Sequence, residues 1–339
     1  MKAGIIGLGA IAPMHIEALK ERAEEIVAVC DVEREKCAVV NRKYSLNARG
    51  YEDYKEMLEK EDLDVVHVCT PHYLHAEMTI AALKKNVNVI CEKPLAINQT
   101  QLDNIEKAVK ASKARLGVCF QTRYNRAVTE LKKLIKPEDV IAAYANLVWK
   151  RDKEYYNSAA WRGTKDEEGG GVLINQAIHS LDLLLWVCGM PKSLTAHCFD
   201  DSLKGVIEVE DTVHGVYDLD DDRNFILNAT NASKTCFKNV LSFVTKDKTA
   251  LLYGDELFVN GEKLTFTDGR KTAGKKEWGN GHGPLIDDFY DCVETGRHFP
   301  IDFYEGSKAV KVLLATYRSM RKSVFVTPVR LKSTERKRR

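Results

Sequence analysis

The chain has no apolar run approaching the ~18 residues of a membrane helix. It has no basic stretch followed by an apolar one at its start, which runs directly into a strand pattern, so a secretory signal is not expected. Its 8 prolines and 21 glycines are too few for a fibrous or low-complexity protein. Its nine cysteines form no C-x-x-C pair, and no Cys/His cluster falls at zinc spacing, so neither a disulfide framework nor a metal site is expected. Cys30, Cys69, Cys91 and Cys119 sit in or at the end of apolar runs, where a thiol acts as a small hydrophobe. Free thiols point to a reducing, cytoplasmic setting. Charge is also scarce: the formal net is +2. Residues 330–339 alone hold Arg330, Lys332, Arg336, Lys337, Arg338 and Arg339 against Glu335, a local +5 that leaves −3 on residues 1–329. A field that gathers nucleic acid is therefore not expected, and the basic end reads as a solvated, disordered tail beyond the apolar stretch at residues 324–329. What remains is an ordinary globular composition, 44% apolar and 29% charged, over 339 residues. At roughly 100–200 residues per domain, that suggests two domains or one large one.

The first third alternates short continuous apolar runs with amphipathic ones. Strands are predicted at residues 3–6, 26–30, 64–69, 87–91 and 116–120, and helices at 11–23, 33–43, 52–60, 75–85 and 98–113. Apolar runs without alternation suit strands buried on both faces of a parallel sheet, and the repeated strand–helix unit predicts a doubly wound α/β domain over residues 1–121. After residue 122 the texture changes. Runs at 140–149, 212–219, 225–230, 240–245 and 250–259 alternate apolar and polar residues, as in a mostly antiparallel sheet with one open face. Helices are predicted near 172–187, 283–294 and 305–321. Residues 122–329 thus read as a second, α+β domain for substrate binding and oligomerisation.

Gly7-Leu-Gly9-Ala10-Ile11-Ala12 lies between a predicted strand and a helix, and Asp31 ends the next strand. That context is the one a dinucleotide-binding turn requires. Gly7 permits the tight turn, Gly9 lets the backbone approach a pyrophosphate at the helix N-terminus, and Ala12 keeps the helix close to the sheet. Asp31 can accept from ribose hydroxyls and would repel a 2′-phosphate, so NAD is expected rather than NADP. A plain structural turn and a helix cap are the bland alternatives.

Thr70-Pro71-His72 and Glu92-Lys93-Pro94 end two of the predicted parallel strands, the edge where open α/β sheets bind ligands. Asn175, His179 and Asp182 fall at i, i+4 and i+7 of the predicted apolar helix that follows Gly169-Gly170-Gly171, forming one polar stripe whose members need partners.

These pieces resemble the Gfo/Idh/MocA oxidoreductases, named for glucose–fructose oxidoreductase and inositol dehydrogenase. The likeness is carried by the glycine turn, Cys69-Thr-Pro-His-Tyr-Leu-His75, Glu92-Lys93-Pro94, Trp161-Arg162-Gly163, the Gly169–Trp186 helix and the closing stretch from His282 to Ser319. The resemblance implies a Rossmann domain, an open-faced α/β domain that packs in homo-oligomers, and hydride transfer between nicotinamide and a secondary alcohol or ketone of a sugar or cyclitol. It implies His179 as the proton acceptor and Lys93 as the group that orients and polarises the substrate oxygen, since a free lysine near pKa 10.4 is a poor base unless shifted. These two roles remain exchangeable. Thr70, Pro71, His72, His75, Glu92, Trp161 and Arg162 would line the cofactor. Asn175, Arg123, Tyr124, Tyr156 and His282 would face substrate, with His282 in a loop before a helix. The family often has an aspartate where this chain has Asn175; asparagine keeps the hydrogen bonding and loses the charge. Two other readings stay open. One is a glycoside-cleaving enzyme that oxidises transiently and eliminates; the other is a non-catalytic sensor, which retention of Lys93 and His179 argues against.

Overall fold

The computed structural model describes residues 1–200, 202–220, 222–266 and 279–319. Six parallel strands form the first sheet: β1 (Lys2–Ile6), β2 (Glu25–Cys30), β3 (Arg49–Tyr51), β4 (Val65–Val68), β5 (Asn88–Glu92) and β6 (Leu116–Cys119). Their spatial order is β3-β2-β1-β4-β5-β6. Every residue of β4 and β6 is buried, which is why these strands read as continuous runs rather than alternating ones, His67 of β4 being the one polar interruption. The helices between them are α1 (Ala12–Glu21), α2 (Arg34–Tyr44), α3 (Tyr54–Lys60), α4 (His75–Lys84) and α5 (Gln99–Ala111). Asp53 starts α3 by accepting from the Lys55 N–H, and Asn98 starts α5 by accepting from Gln101. The order reverses between β1 and β4, so the crevice beyond their C-terminal ends is the place for a ligand.

The helix α6 (Arg126–Leu134) leads to the second sheet. Its strands are β7 (Val140–Val148), β8 (Ser193–Phe199), β9 (Thr212–Asp218), β10 (Asn224–Thr230), β11 (Val240–Thr245), β12 (Thr249–Tyr253), β13 (Glu256–Val259) and β14 (Glu262–Leu264). They run in the order β14-β13-β12-β11-β7-β10-β9-β8, antiparallel throughout except for the β7–β10 pair. The run at 250–259 is two strands, because Gly254, at φ +65°, turns the chain back. Three short or long helices follow β7: α7 (Lys153–Tyr156), α8 (Val172–Asn175) and α9 (Ile178–Cys188).

One face of this sheet is covered. Phe225, Tyr217 and Phe243 are buried there, with Tyr217 stacked on Phe225. The other face is open. Tyr144, Ile226 and Val216 are direct neighbours across β7, β10 and β9, and Tyr144 and Val216 are 45% and 39% exposed. Beyond Ser242 of β11, which interrupts the row, Leu251 and Phe258 add apolar side chains on β12 and β13.

The last two helices, α10 (His282–Thr295) and α11 (Phe303–Arg318), return to the first sheet. A side chain at Gly117 of β6 would meet Phe289 and Phe299 at 2.7–2.9 Å, and Val118 N–H donates to the Ile301 carbonyl at 2.9 Å. The basic segment 330–339 and the apolar stretch before it lie outside the described residues. No helix among the described residues is long and apolar enough to cross a membrane.

Candidate active site

Gly7 adopts φ +89°, and a Cβ there would lie 2.7 Å from the Cys69 carbonyl, so the turn after β1 accepts only glycine. Gly9 and Ala10 are exposed, and a Cβ on Gly9 would meet nothing within 4 Å. Ile11 precedes α1 without a side-chain cap, and Ala12 is buried against the sheet. The first amides of α1 therefore face an open cradle, which fits a pyrophosphate. Asp31 does more than end β2. Its carboxylate accepts from the Leu8 N–H at 2.9 Å and from the Glu33 N–H at 3.0 Å, so it braces the glycine turn. The Lys36 ammonium lies 3.5 Å from the same carboxylate.

Lys93 leaves the end of β5 and donates from Nζ to the Asn175 main-chain carbonyl at 3.1 Å. Burial pushes its ammonium below the ordinary lysine value, while Glu92 and then Glu168 pull the other way. His179 of α9 shares a hydrogen bond between Nδ1 and Thr122 Oγ1 at 3.1 Å, with its ring edge-on to Phe120. Burial and then the Lys93 charge depress its pKa to about 3, so the imidazole is neutral across the physiological range. The two groups predicted to react are thus neighbours in one electrostatic field.

The helix expected over 172–187 is broken. The Ala177 N–H reaches back five residues to the Val172 carbonyl at 2.8 Å, a wide turn that ends α8 before α9 begins. Asn175, His179 and Asp182 consequently do not form one stripe. Asn175 turns toward Glu168 and Tyr155, His179 toward Thr122, and Asp182 toward Arg123.

Glu92 is buried behind Lys93. One oxygen pairs with His15 Nε2 at 3.1 Å and lies 3.6 Å from His282 Nε2; the other accepts from the Lys93 N–H at 3.2 Å. Although burial pushes this carboxyl up, His15 and His282 hold it well below the ordinary range. The row continues from His15 to His67 at 2.8 Å and from His67 to the Tyr290 hydroxyl at 2.9 Å. His282 is therefore not in a loop: it opens α10, 3% exposed, because its ring fills the space against Glu92.

The remaining predicted residues separate into two groups. His72 packs on Trp161, ring centroids 4.8 Å apart, and its Nδ1 meets the Glu168 carbonyl at 3.0 Å. Arg162 lies over both Trp161 and Tyr155 and donates to the Tyr155 hydroxyl at 2.5 Å. These border Asn175 and Lys93. Pro71 leads into the turn that carries His72, the Thr70 hydroxyl contacts Met78 sulfur at 3.4 Å, and His75 is buried with its ring nitrogens opposite the Pro94 and Thr70 carbonyls, at 2.7 and 2.8 Å. The other group is engaged by side chains elsewhere: Arg123 and Tyr156 are buried and Tyr124 is half-buried. Arg123, 4% exposed, forks onto Asp182 at 2.6 and 2.7 Å and reaches Glu305 at 2.9 Å. Tyr124 donates to Asp288 at 2.5 Å. Tyr156 is buried in a small apolar cluster with Leu203, Ile207 and Val209, where its hydroxyl accepts from Asn231.

Two groups at the site are absent from the sequence reading. Thr122 gave no signal, being one polar residue after a strand. Glu168 is the last acid of Asp166-Glu167-Glu168, a run that reads as solvated, yet it is 1% exposed with both oxygens accepting, from Asn175 Nδ2 and the Gly163 N–H.

Comparison with known proteins places this geometry in context. Residues 1–120 match the family model described as an oxidoreductase family with an NAD-binding Rossmann fold, and residues 139–331 match its C-terminal alpha/beta domain. The chain is 30% identical over 190 residues to inositol 2-dehydrogenase of Salmonella typhimurium, a match covering 55% of this chain and 54% of that protein. It is 31% identical over 205 residues to D-glucoside 3-dehydrogenase of Escherichia coli, covering 59% and 58%. The chain thus spans about half the length of the curated relatives it matches. Among solved structures, the WlbA dehydrogenase of Bordetella pertussis, in complex with NADH and UDP-GlcNAcA, superposes with a TM-score of 0.82 at 25% identity, covering 95% of this chain and 97% of that one.

Proposed function

The chain belongs to the Gfo/Idh/MocA oxidoreductase family, and from that premise we propose that it is an NAD-dependent dehydrogenase or reductase acting on a secondary alcohol or ketone of a sugar, sugar derivative or cyclitol. The observation that carries the proposal is the convergence of Lys93, Asn175 and His179 at the C-terminal edge of the parallel sheet, beside the open glycine turn. The relatives named for inositol and glucoside oxidation support the substrate class.

The exposed Gly9–Ala10 turn and the uncapped start of α1 would hold the pyrophosphate. Asp31 would take the adenine ribose, its negative charge favouring NAD over NADP. Thr70, Pro71, His72, Trp161 and Arg162 would wall the nicotinamide side. When bound, the nicotinamide supplies the hydride acceptor. The residues of this chain then manage the proton. If Nδ1–H of His179 donates to Thr122, its Nε2 is bare and takes the hydroxyl proton. A pKa near 3 makes that transfer costly while Lys93 is charged. Lys93, depressed by its own burial, donates to the substrate oxygen and stabilises the charge that grows there. Glu92 fixes the start of the Lys93 main chain from behind.

The open apolar row on the second sheet supports a homo-oligomer in which this face meets a second copy. All nine cysteines are free thiols, which supports a reducing, cytoplasmic compartment.

The test is a panel of cyclitols, sugars, sugar acids and glycosides with NAD+, followed by nicotinamide absorbance and product mass. One or more polyols should yield NADH. Lys93→Met and His179→Ala should each abolish turnover and leave NADH binding within about threefold. Wild-type turnover in either variant refutes its role, and bond cleavage without NADH formation replaces net dehydrogenation by the eliminating mechanism.

A further inference from the structure

We propose that Glu168 is the positioning carboxylate of this active site: from the loop before α8 it holds the Asn175 amide and supplies the negative charge that steadies the Lys93 ammonium. The inference rests on the reading of Lys93 as the group that faces the substrate oxygen.

Asn175 is the joint between the two. Its main-chain carbonyl accepts from Lys93 Nζ at 3.1 Å, while its side-chain amide donates to Glu168. Being neutral, the asparagine cannot balance the lysine. Glu168 can, and after Glu92 it is the carboxylate acting most strongly on the Lys93 charge. Its placement is enforced by the backbone. Oε2 accepts from the Gly163 N–H, the Glu168 carbonyl takes His72 Nδ1, and Gly169 follows at φ +83° with room for no Cβ, which would lie 2.4 Å from Ile97. A carboxyl only 1% exposed is expensive to bury, and neighbouring acids in the same run, Asp166 and Glu167, are not buried. A neutral amide has one acceptor oxygen and could serve Asn175 or the Gly163 N–H but not both; the buried acid serves both and adds a charge beside Lys93.

The groups that face Glu168 come from every side. Arg162 and Lys93 are cationic, Glu210 is anionic, and the phenols of Tyr156 and Tyr317 complete the shell. Burial lifts the Glu168 pKa to about 7, with the Gly163 N–H and the Asn175 amide pulling down. The carboxyl is therefore an anion above neutrality and a neutral acid below it. Lys93 loses this counter-charge as the pH falls through 7, and its proton affinity falls with it.

The experiment measures Lys93 directly, without turnover. Trace acetic anhydride labels neutral amines, and mass spectrometry of the Lys93 peptide gives its labelling rate against pH. In the wild type the curve should show a step near pH 7. In Glu168→Gln the step should vanish and labelling between pH 7 and the lysine midpoint should rise on the order of tenfold, a shift of about one pKa unit. The double variant E168Q/N175D, which returns a carboxylate to the same joint, should restore wild-type labelling. In turnover, E168Q should lower kcat on the order of tenfold with KM within about threefold and remove the limb near pH 7. A wild-type curve without a step, unchanged labelling in a folded E168Q chain, or no rescue by N175D overturns the proposal; if E168Q does not fold, the wild-type curve decides. Labelling that behaves as stated in a chain that oxidises no polyol sinks the functional reading and leaves the Glu168–Lys93 coupling standing.

Discussion

Arg123→Met is the most discriminating perturbation outside the reacting groups. Arg123 sits where the chain leaves β6, and its guanidinium forks onto Asp182 of α9 while reaching Glu305 of α11, so one side chain ties the exit of the first sheet to two helices of the second half. Methionine keeps the length of the stem and removes the charge. Asp182, 1% exposed, is then left facing Glu305 without its fork. Leaving one partner of a buried pair alone costs about 3–5 kcal/mol, and loss of the guanidinium from the Trp186 face, 5.1 Å away, adds roughly 0.5–1 kcal/mol. At about 2.1 cal/mol/K of unfolding entropy per residue, a combined loss of roughly 3.5–6 kcal/mol over 339 residues lowers the melting temperature by roughly 5–8 °C. The pH dependence has a definite sign. Burial already holds the Asp182 carboxyl above the ordinary aspartate value, and without Arg123 it rises further. The cost of ionising it therefore grows as pH climbs above the unfolded value near 3.9, and the deficit shrinks as pH falls toward 4. Thermal unfolding followed by circular dichroism at pH 8 and pH 5 measures both effects, and R123M/D182L should recover most of the loss. A variant that melts within about 1 °C of wild type but raises KM would refute the structural argument and return Arg123 to the substrate side.

Three further outcomes follow from packing and exposure. A methyl group at Gly171 would lie 1.8 Å from the Glu210 carbonyl oxygen, so Gly171→Ala should cost about 3 kcal/mol or more and reduce soluble yield; a wild-type melting curve would contradict the contact. Cys236 is exposed while burial pushes the Cys30, Cys91, Cys188 and Cys198 thiols up to about 12, so Ellman's reagent at pH 8 should find one fast thiol, absent in Cys236→Ser. Tyr144→Glu with Val216→Lys places charge in the open apolar row and should shift the chain to monomer in sedimentation; a monomeric wild type would remove that face from consideration as an interface.

Much of the first half is legible because its physics is local. The runs at β4 and β5 are continuous and mostly apolar, so a parallel buried sheet is the economical reading, and the positive φ at Gly7 is foreshadowed by its place between strand and helix. Strand β3 is not legible: Arg49-Gly50-Tyr51 is three residues at an edge, with two of them exposed. Strand β8 escapes because it is half-covered along most of its length, so its apolar alternation is weak. The break between α8 and α9 carries no proline or glycine, and nothing in Gln176-Ala177 announces it. At the site, Lys93 and His179 stand out by motif, whereas Glu168 hides in an acidic run and Arg123 finds Asp182 across 59 residues of sequence. Contacts of that kind are set by how the two sheets meet, which no local pattern encodes.

The wide turn that reaches from Ala177 to Val172 changes the phase of everything after it. A regular helix advances about 100° per residue, so one residue held in an enlarged turn offsets the two flanking segments by roughly that angle. Asn175 is thereby aimed at Glu168 while His179 is aimed at Thr122, bearings that an unbroken helix would not deliver from positions four apart. Deleting Gln176 would mend the helix and spoil its aim. The enlarged turn works as an angular adjustment, setting the bearing of the residues before it apart from the face that α9 packs.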